Sequence, residues 1–361
     1  ATHVEIFICL NRTGPTEKFF AAAQNCDDAE VHALINSGIN TNITDENGKN
    51  ALHRAAEHGC LKVVDILIKN GANVNAIAGN KSTALALVAS NGTEIVDLLV
   101  KNGADVNLNA PIVTLIQSYK DDVAIQLIKN GADINIQYGG ERPMSPLNTA
   151  ALFNSHLGRF KIVKILIERG ANVNAVDFFG KAPIQYVCTL AQCPEDVVEQ
   201  LINAGANLNI VNKRGKSPLG EAISDGYNTI AELFIKNGAD VNHADHFGYT
   251  PLFLAALEKM DNIALILINK GANVNAVTSS GVSPLHVAAG NGIDNVVEML
   301  IKKGANVNAR TVDGFTPLHW AAQSGTAMTV HLLLKNGADK DVETSDGKTA
   351  LDFSEMKGND Y

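Results

Sequence analysis

The chain has 361 residues, of which 46% are hydrophobic but only 5% aromatic, and a formal net charge of -9 from 38 acidic and 29 basic residues. A core of that composition must be built from Ala, Val, Ile and Leu, and the acidic balance argues against a general nucleic-acid binder, which needs clustered Lys and Arg. No apolar run approaches the roughly 18 residues of a membrane-spanning helix, and five cysteines at low density with no framework point to a reducing compartment, hence the cytoplasm.

In chain order, residues 1–14 read as an N-terminal extension containing the short apolar stretch VEIFICL. Residues 15–43 (TEKFFAAAQNCDDAEVHALINSGINTNI from 16) predict two helices without the turn and Thr-Pro start found later, as expected of a cap whose outer side meets water. A Gly followed by a small residue and Asn or Asp then recurs at Gly38, Gly71, Gly103, Gly131, Gly170, Gly205, Gly238, Gly271, Gly304 and Gly337. The commonest step is 33 residues, and the irregular steps of 28 and 39 fall together in the 105–165 region. One unit shows the common grammar in TVDGFTPLHWAAQSGTAMTVHLLLKNGAD (311–339). Gly314 permits a tight turn, Thr316 caps a helix with Pro317 at its first position, and Ala321 and Ala322 let two helices approach. A second, more apolar helix follows and ends at Gly337 in the left-handed conformation. Residues 343–361 begin a last unit and then turn polar, a truncated C-terminal cap.

GVSPLHVAAGNG (281–292), GFTPLHWAAQSG (314–325) and GKNALHRAAEHG (48–59) carry a resemblance to the ankyrin repeat family. The resemblance covers residues 15–361, read as a single domain. It implies an all-α solenoid of stacked helix-turn-helix units, about ten to eleven including degenerate caps. Hairpin fingers would project from one edge and line a concave face with the first helices. The physical reading agrees, because one unit cannot bury its apolar face without neighbours.

Departures from the repeat stand out. The 110–128 stretch leaves no residues for a finger, while YGGERPM (138–144) lengthens the next finger. LFNSHLGRF (152–160) lengthens a helix-helix connection, and a further insertion falls near TLAQCPED (189–196). These changes read either as drift in tolerant loops or as a notch and long finger that make a pocket for a partner.

No enzyme chemistry has a positive signal, and no cofactor or metal is expected. GKS (215–217) and GKT (347–349) imitate the end of a phosphate-binding loop, but the earlier glycine is Ile210 or Val342. His53, His58 and Cys60 suggest a metal only by proximity; the resemblance gives His53 structural hydrogen bonds between units. Cys188 and Cys193 lack redox-pair spacing. The repeated asparagines, including Asn75, Asn242, Asn275 and Asn308, have side-chain amides able to tie the loops of adjacent units. Trp320 is expected to pack against neighbouring helices.

The turn residues are not needed for the core pattern, and the resemblance makes them the contact positions. Read in order, they nominate Phe178, Phe179 and Lys181, then Lys213, Arg214 and Lys216, then His246, Phe247 and Tyr249, and finally Phe315. The aromatic turns should stand exposed about 20 Å apart, at about 10 Å per unit. That suits a protein or peptide partner with apolar anchors flanking acidic residues, bound by a monomeric, non-enzymatic interaction scaffold. Two other readings stay open: a translocated effector of an intracellular bacterium acting on host proteins, and the repeat segment of a larger toxin or enzyme.

Overall fold

The computed structural model describes residues 14–140, 143–155, 160–187 and 195–358. Residues 1–13, Cys188, Cys193, the 141–142 tip of the long finger and most of the insertions at 156–159 and 189–194 lie outside that description. The described residues form 21 helices, and β-pairing is confined to isolated bridges.

The chain divides into two compact units, 1–178 and 179–361. The first holds five helix pairs: α1 Pro15–Gln24 with α2 Asp28–Asn36, α3 Ala51–His58 with α4 Leu61–Lys69, α5 Ala84–Leu87 with α6 Thr93–Lys101, α7 Pro111–Gln117 with α8 Asp121–Lys129, and α9 Pro146–Ser155 with α10 Lys161–Glu168. The second holds α11 Pro183–Val187 with α12 Glu195–Asn203, α13 Pro218–Ser224 with α14 Asn228–Lys236, α15 Pro251–Leu257 with α16 Asp261–Asn269, α17 Pro284–Asn291 with α18 Asp294–Lys302, α19 Pro317–Ser324 with α20 Ala327–Lys335, and then α21 Ala350–Gly358. Within each unit, first helices pack on first helices and second helices on second helices, the arrangement of an all-α repeat solenoid.

Local sequence explains each element. Most second helices bury apolar residues at i, i+1 and i+4, as in Val63, Val64 and Leu67 of α4 and Val296, Val297 and Leu300 of α18. That spacing puts all three on one side of a 3.6-residue turn. First helices α13 and α15 start on a capping hydroxyl: Ser217 Oγ accepts from Gly220 N at 3.2 Å and Thr250 Oγ1 from Phe253 N at 3.2 Å. In α17 and α19 the cap is reciprocal. Ser283 N donates to Nδ1 of His286 and Thr316 N to Nδ1 of His319, each at 3.1 Å.

With Nδ1 accepting, Nε2 carries the hydrogen and donates to the next unit. His286 reaches Phe315 O at 3.1 Å and His319 reaches Lys348 O at 3.2 Å. Nε2 of His53 lies 3.1 Å from Ala76 O, so the inter-unit role expected for it holds. The asparagine ladder holds as well: Asn275 Nδ2 donates to Gly304 O at 3.0 Å while its Oδ1 accepts from Asn306 N at 2.8 Å. Asn242 and Asn308 repeat the pattern. Trp320 packs edge-on against His286 at 5.8 Å and over Gly290 of the preceding pair, as expected.

The missing finger is present as a missing finger. Asn109 and Ala110 take positive φ (58° and 48°) and deliver the chain straight into α7. The long finger that follows closes with paired bonds between Tyr138 and Met144 (3.1 and 2.9 Å). One expectation is corrected: Cys26 and Cys60 are bonded as a disulfide. Their separation of 34 residues is one more than the common repeat step, so the pair forms no local cysteine spacing, and the case for a reducing compartment loses its basis.

Candidate functional site

The nominated residues other than Phe178 sit on turns of the second unit. Two of the turns begin with a buried polar residue whose side chain accepts from backbone N–H groups further along. Asn212 Oδ1 takes Arg214 N (2.8 Å) and Lys216 N (3.1 Å); Asp245 Oδ1 takes Phe247 N (2.9 Å) and Tyr249 N (3.0 Å). Gly248 has φ +82°, and a Cβ there would stand 3.0 Å from Thr278 Cα, so both the backbone and the next turn demand glycine.

Adjacent turns are stitched together. Lys213 N donates to Phe179 O (2.9 Å), Ser279 N to Phe247 O (3.3 Å) and Val312 N to Ser280 O (3.0 Å). Between the 212–216 and 245–249 turns, His243 Nε2 lies 2.7 Å from Gly215 O. The ring of His246 covers Gly215 so closely that an added Cβ would meet it at 2.5 Å. These histidines therefore space and join two turns.

The nominated set divides at the glycine. Residues before it face water: Phe179 is 48% exposed and Phe247 60%, and Lys213, Arg214 and His246 are also exposed. Phe178, which ends the first unit, is exposed too. Residues after it lean onto first helices and are half-buried. Lys181 Nζ pairs with Glu221 Oε1 at 2.8 Å and lies over the Tyr186 ring, and Lys216 Nζ reaches Ser224 Oγ at 3.5 Å. Tyr249 stacks on Phe253 with centroids 4.8 Å apart, and Phe315 packs against His319 and Phe353. The expectation that the Tyr249 ring is exposed is thus corrected, because Phe253 replaces the His of sibling helices and supplies a ring to stack on. Only Phe247, 5.8 Å from Tyr249, carries that aromatic group out to solvent.

Burial raises the pKa of the Asp225 carboxyl beside this cluster, with Lys216 and Lys181 pulling it partly back. The buried Glu221 accepts from both Lys181 and Asn212, tying two turns to α13. Sequence reading missed three exposed apolar residues from the nominated set: Val211, Val277 and Val312, the last at 77%. Val211 and Val277 each stand next to a buried turn residue, Asn212 and Thr278, so alternation of period 2 was the available signal.

The first unit has its own recess, about 560 Å³, around Arg54. The guanidinium donates to Gln24 Oε1 (3.0 Å) and Asp45 Oδ2 (2.7 Å) and lies over the Phe20 ring. Burial pushes the Asp45 carboxyl up, but the N–H groups of Lys49 and Asn47 together with Arg54 hold it below its usual value. Among the described residues, no group of three or more His, Cys, Asp or Glu could hold a metal, and no helix is long and apolar enough to cross a membrane.

A probable serine/threonine-protein kinase of Dictyostelium discoideum is 39% identical over 77 residues, which is 20% of this chain and 9% of that protein. The palmitoyltransferase akr1 of Schizosaccharomyces pombe is 38% identical over 66 residues, 18% of this chain and 10% of that protein. The matched stretches thus span about a tenth of either relative. The family described as "Ankyrin repeats (3 copies)" matches 18–110, 112–209, 185–278, 230–311 and 275–344, almost the whole described chain. That match covers well over half of the chain, which belongs to the ankyrin repeat family, a module for protein–protein interaction.

Proposed function

We propose that the protein is a non-enzymatic scaffold that binds an extended segment of a partner protein along the turns of its second unit. The supporting observation is an alternation of exposed groups on stitched turns: Phe179 at 48%, then Lys213 and Arg214, then Phe247 at 60%, then Val312 at 77%. Apolar groups clustered in water mark interaction surfaces, and cations between them select a partner whose acidic residue lies between apolar ones. Two units span about 20 Å at about 10 Å each, the reach of about six residues of extended chain. Lys181 and Lys216 add to the field but lean onto α11 and α13, so direct contact falls to Lys213 and Arg214. Binding to the monomer is part of this reading.

The test uses a fluorescein-labelled peptide selected on the wild-type protein from a random peptide library. Phe247→Ala should raise Kd by roughly tenfold or more, as expected of a buried aromatic anchor. The Lys213→Ala/Arg214→Ala pair should weaken binding and flatten its dependence on salt. Affinity unchanged in both variants would move the site elsewhere.

A second reading has its own support. Both curated relatives are far longer than the stretch they share with this chain. On that reading the repeats are the recruitment segment of a larger enzyme, and sequencing the flanking coding region decides it.

A further inference from the structure

The first seam between helix pairs is joined covalently. Cys26, in the turn between α1 and α2, is bonded to Cys60, which precedes α4 at its N-cap. The backbone of this fold aims one at the other. Cys26 has φ +58°, the left-handed turn conformation that the corresponding positions give to Gly59 (+77°), Gly226 (+77°) and Gly292 (+66°). At Cys26 and at Gly292 a side chain points at the N-cap of the next pair's second helix. A Cβ added to Gly292 would come within 2.7 Å of Cγ2 of Thr326, the N-cap of α20, at the same separation of 34 residues.

The seam has reason to be reinforced. Val31 is the one buried residue of α2, whereas α4 buries Val63, Val64 and Leu67. Among the described residues, α1 packs on α3 and α2 on α4, and opening of the first pair has to break that interface. Cys60 is 3% exposed while Cys26 is exposed, so a thiol reagent enters from the Cys26 side.

We infer that Cys26–Cys60 is a redox-reversible staple holding the first helix pair on the second. The oxidant is a low-molecular-weight disulfide. The Cys26 thiolate attacks one of its sulfurs and releases one thiolate, and the Cys60 thiolate then attacks the Cys26 sulfur and releases the other. Two electrons pass to the reagent, which leaves as two thiols. A reducing dithiol reverses both steps, and α1 and α2 then open while later pairs stay folded.

Hydrogen exchange on the full chain, oxidised with glutathione disulfide or reduced with dithiothreitol, tests this. Amides of α1 and α2 should exchange at least about tenfold faster when reduced, with α17 to α20 unchanged. Cys26→Gly keeps the turn conformation its siblings use and should exchange at the reduced rate under both conditions. Equal exchange in the two states, alkylation of both cysteines after oxidation, or a Cys26→Gly protein that exchanges like the oxidised wild type would each overturn the inference.

Discussion

His286 and His319 show how single residues couple the repeats. Each ring accepts at Nδ1 from its own helix cap and donates at Nε2 to the next unit, an arrangement open only to neutral imidazole. Burial is the first cause that lowers the pKa of His53, His286 and His319 below the usual histidine value. The unfolded chain therefore takes up protons that the folded chain refuses. Stability is full above about pH 6.5 and falls as pH drops toward the depressed folded values. The His286→Gln/His319→Gln protein should be less stable at about pH 7.5, by about 1–3 kcal/mol per site. It should also lose less Tm than the wild type on going to about pH 5.5. Parallel Tm-versus-pH curves for the two proteins would assign the acid sensitivity to other groups. The histidine positions were legible in the LH motif, but their acid sensitivity was not, since it depends on how far the folded chain buries each ring.

At the scale of elements, the loops are held by side-chain amides as much as by backbone. Asn275 makes one bond in each direction across its seam, to Gly304 O and from Asn306 N. Asn275→Ala should lower stability by about 1–2 kcal/mol, read as a fall in the urea midpoint, while Asn275→Asp keeps the acceptor and recovers part of it. A midpoint unchanged in the alanine variant would mean that solvent replaces both bonds without loss. The turns follow a different logic. Their shape was legible, because Gly215, Gly248, Gly281 and Gly314 announce positive φ. Which ring each turn offers to a partner was not. Tyr249 and Phe247 flank the same glycine, yet Phe253, a residue of α15, draws one of them inward.

At the scale of the molecule, stability is shared between nearest neighbours. Leu300 is fully buried in α18, so Leu300→Ala should cost about 2–5 kcal/mol. The loss should appear as faster hydrogen exchange in α16 to α20, with α3 and α4 keeping their protection. Uniform acceleration across the chain would show that the repeats unfold as one block instead. By itself the sequence determined the family, the helix pairing and the missing finger. Those features rest on local periodicity, on glycines that only certain turns require and on residues within one unit. Tertiary structure alone decided that Cys26 meets Cys60, that His243 and His246 join two turns, and that Phe247 stays exposed while Tyr249 does not. Each of these depends on which side chain the folded backbone sets opposite another, within a turn or across a repeat seam. Stacking fixes that register in space, and no local pattern in the chain records it.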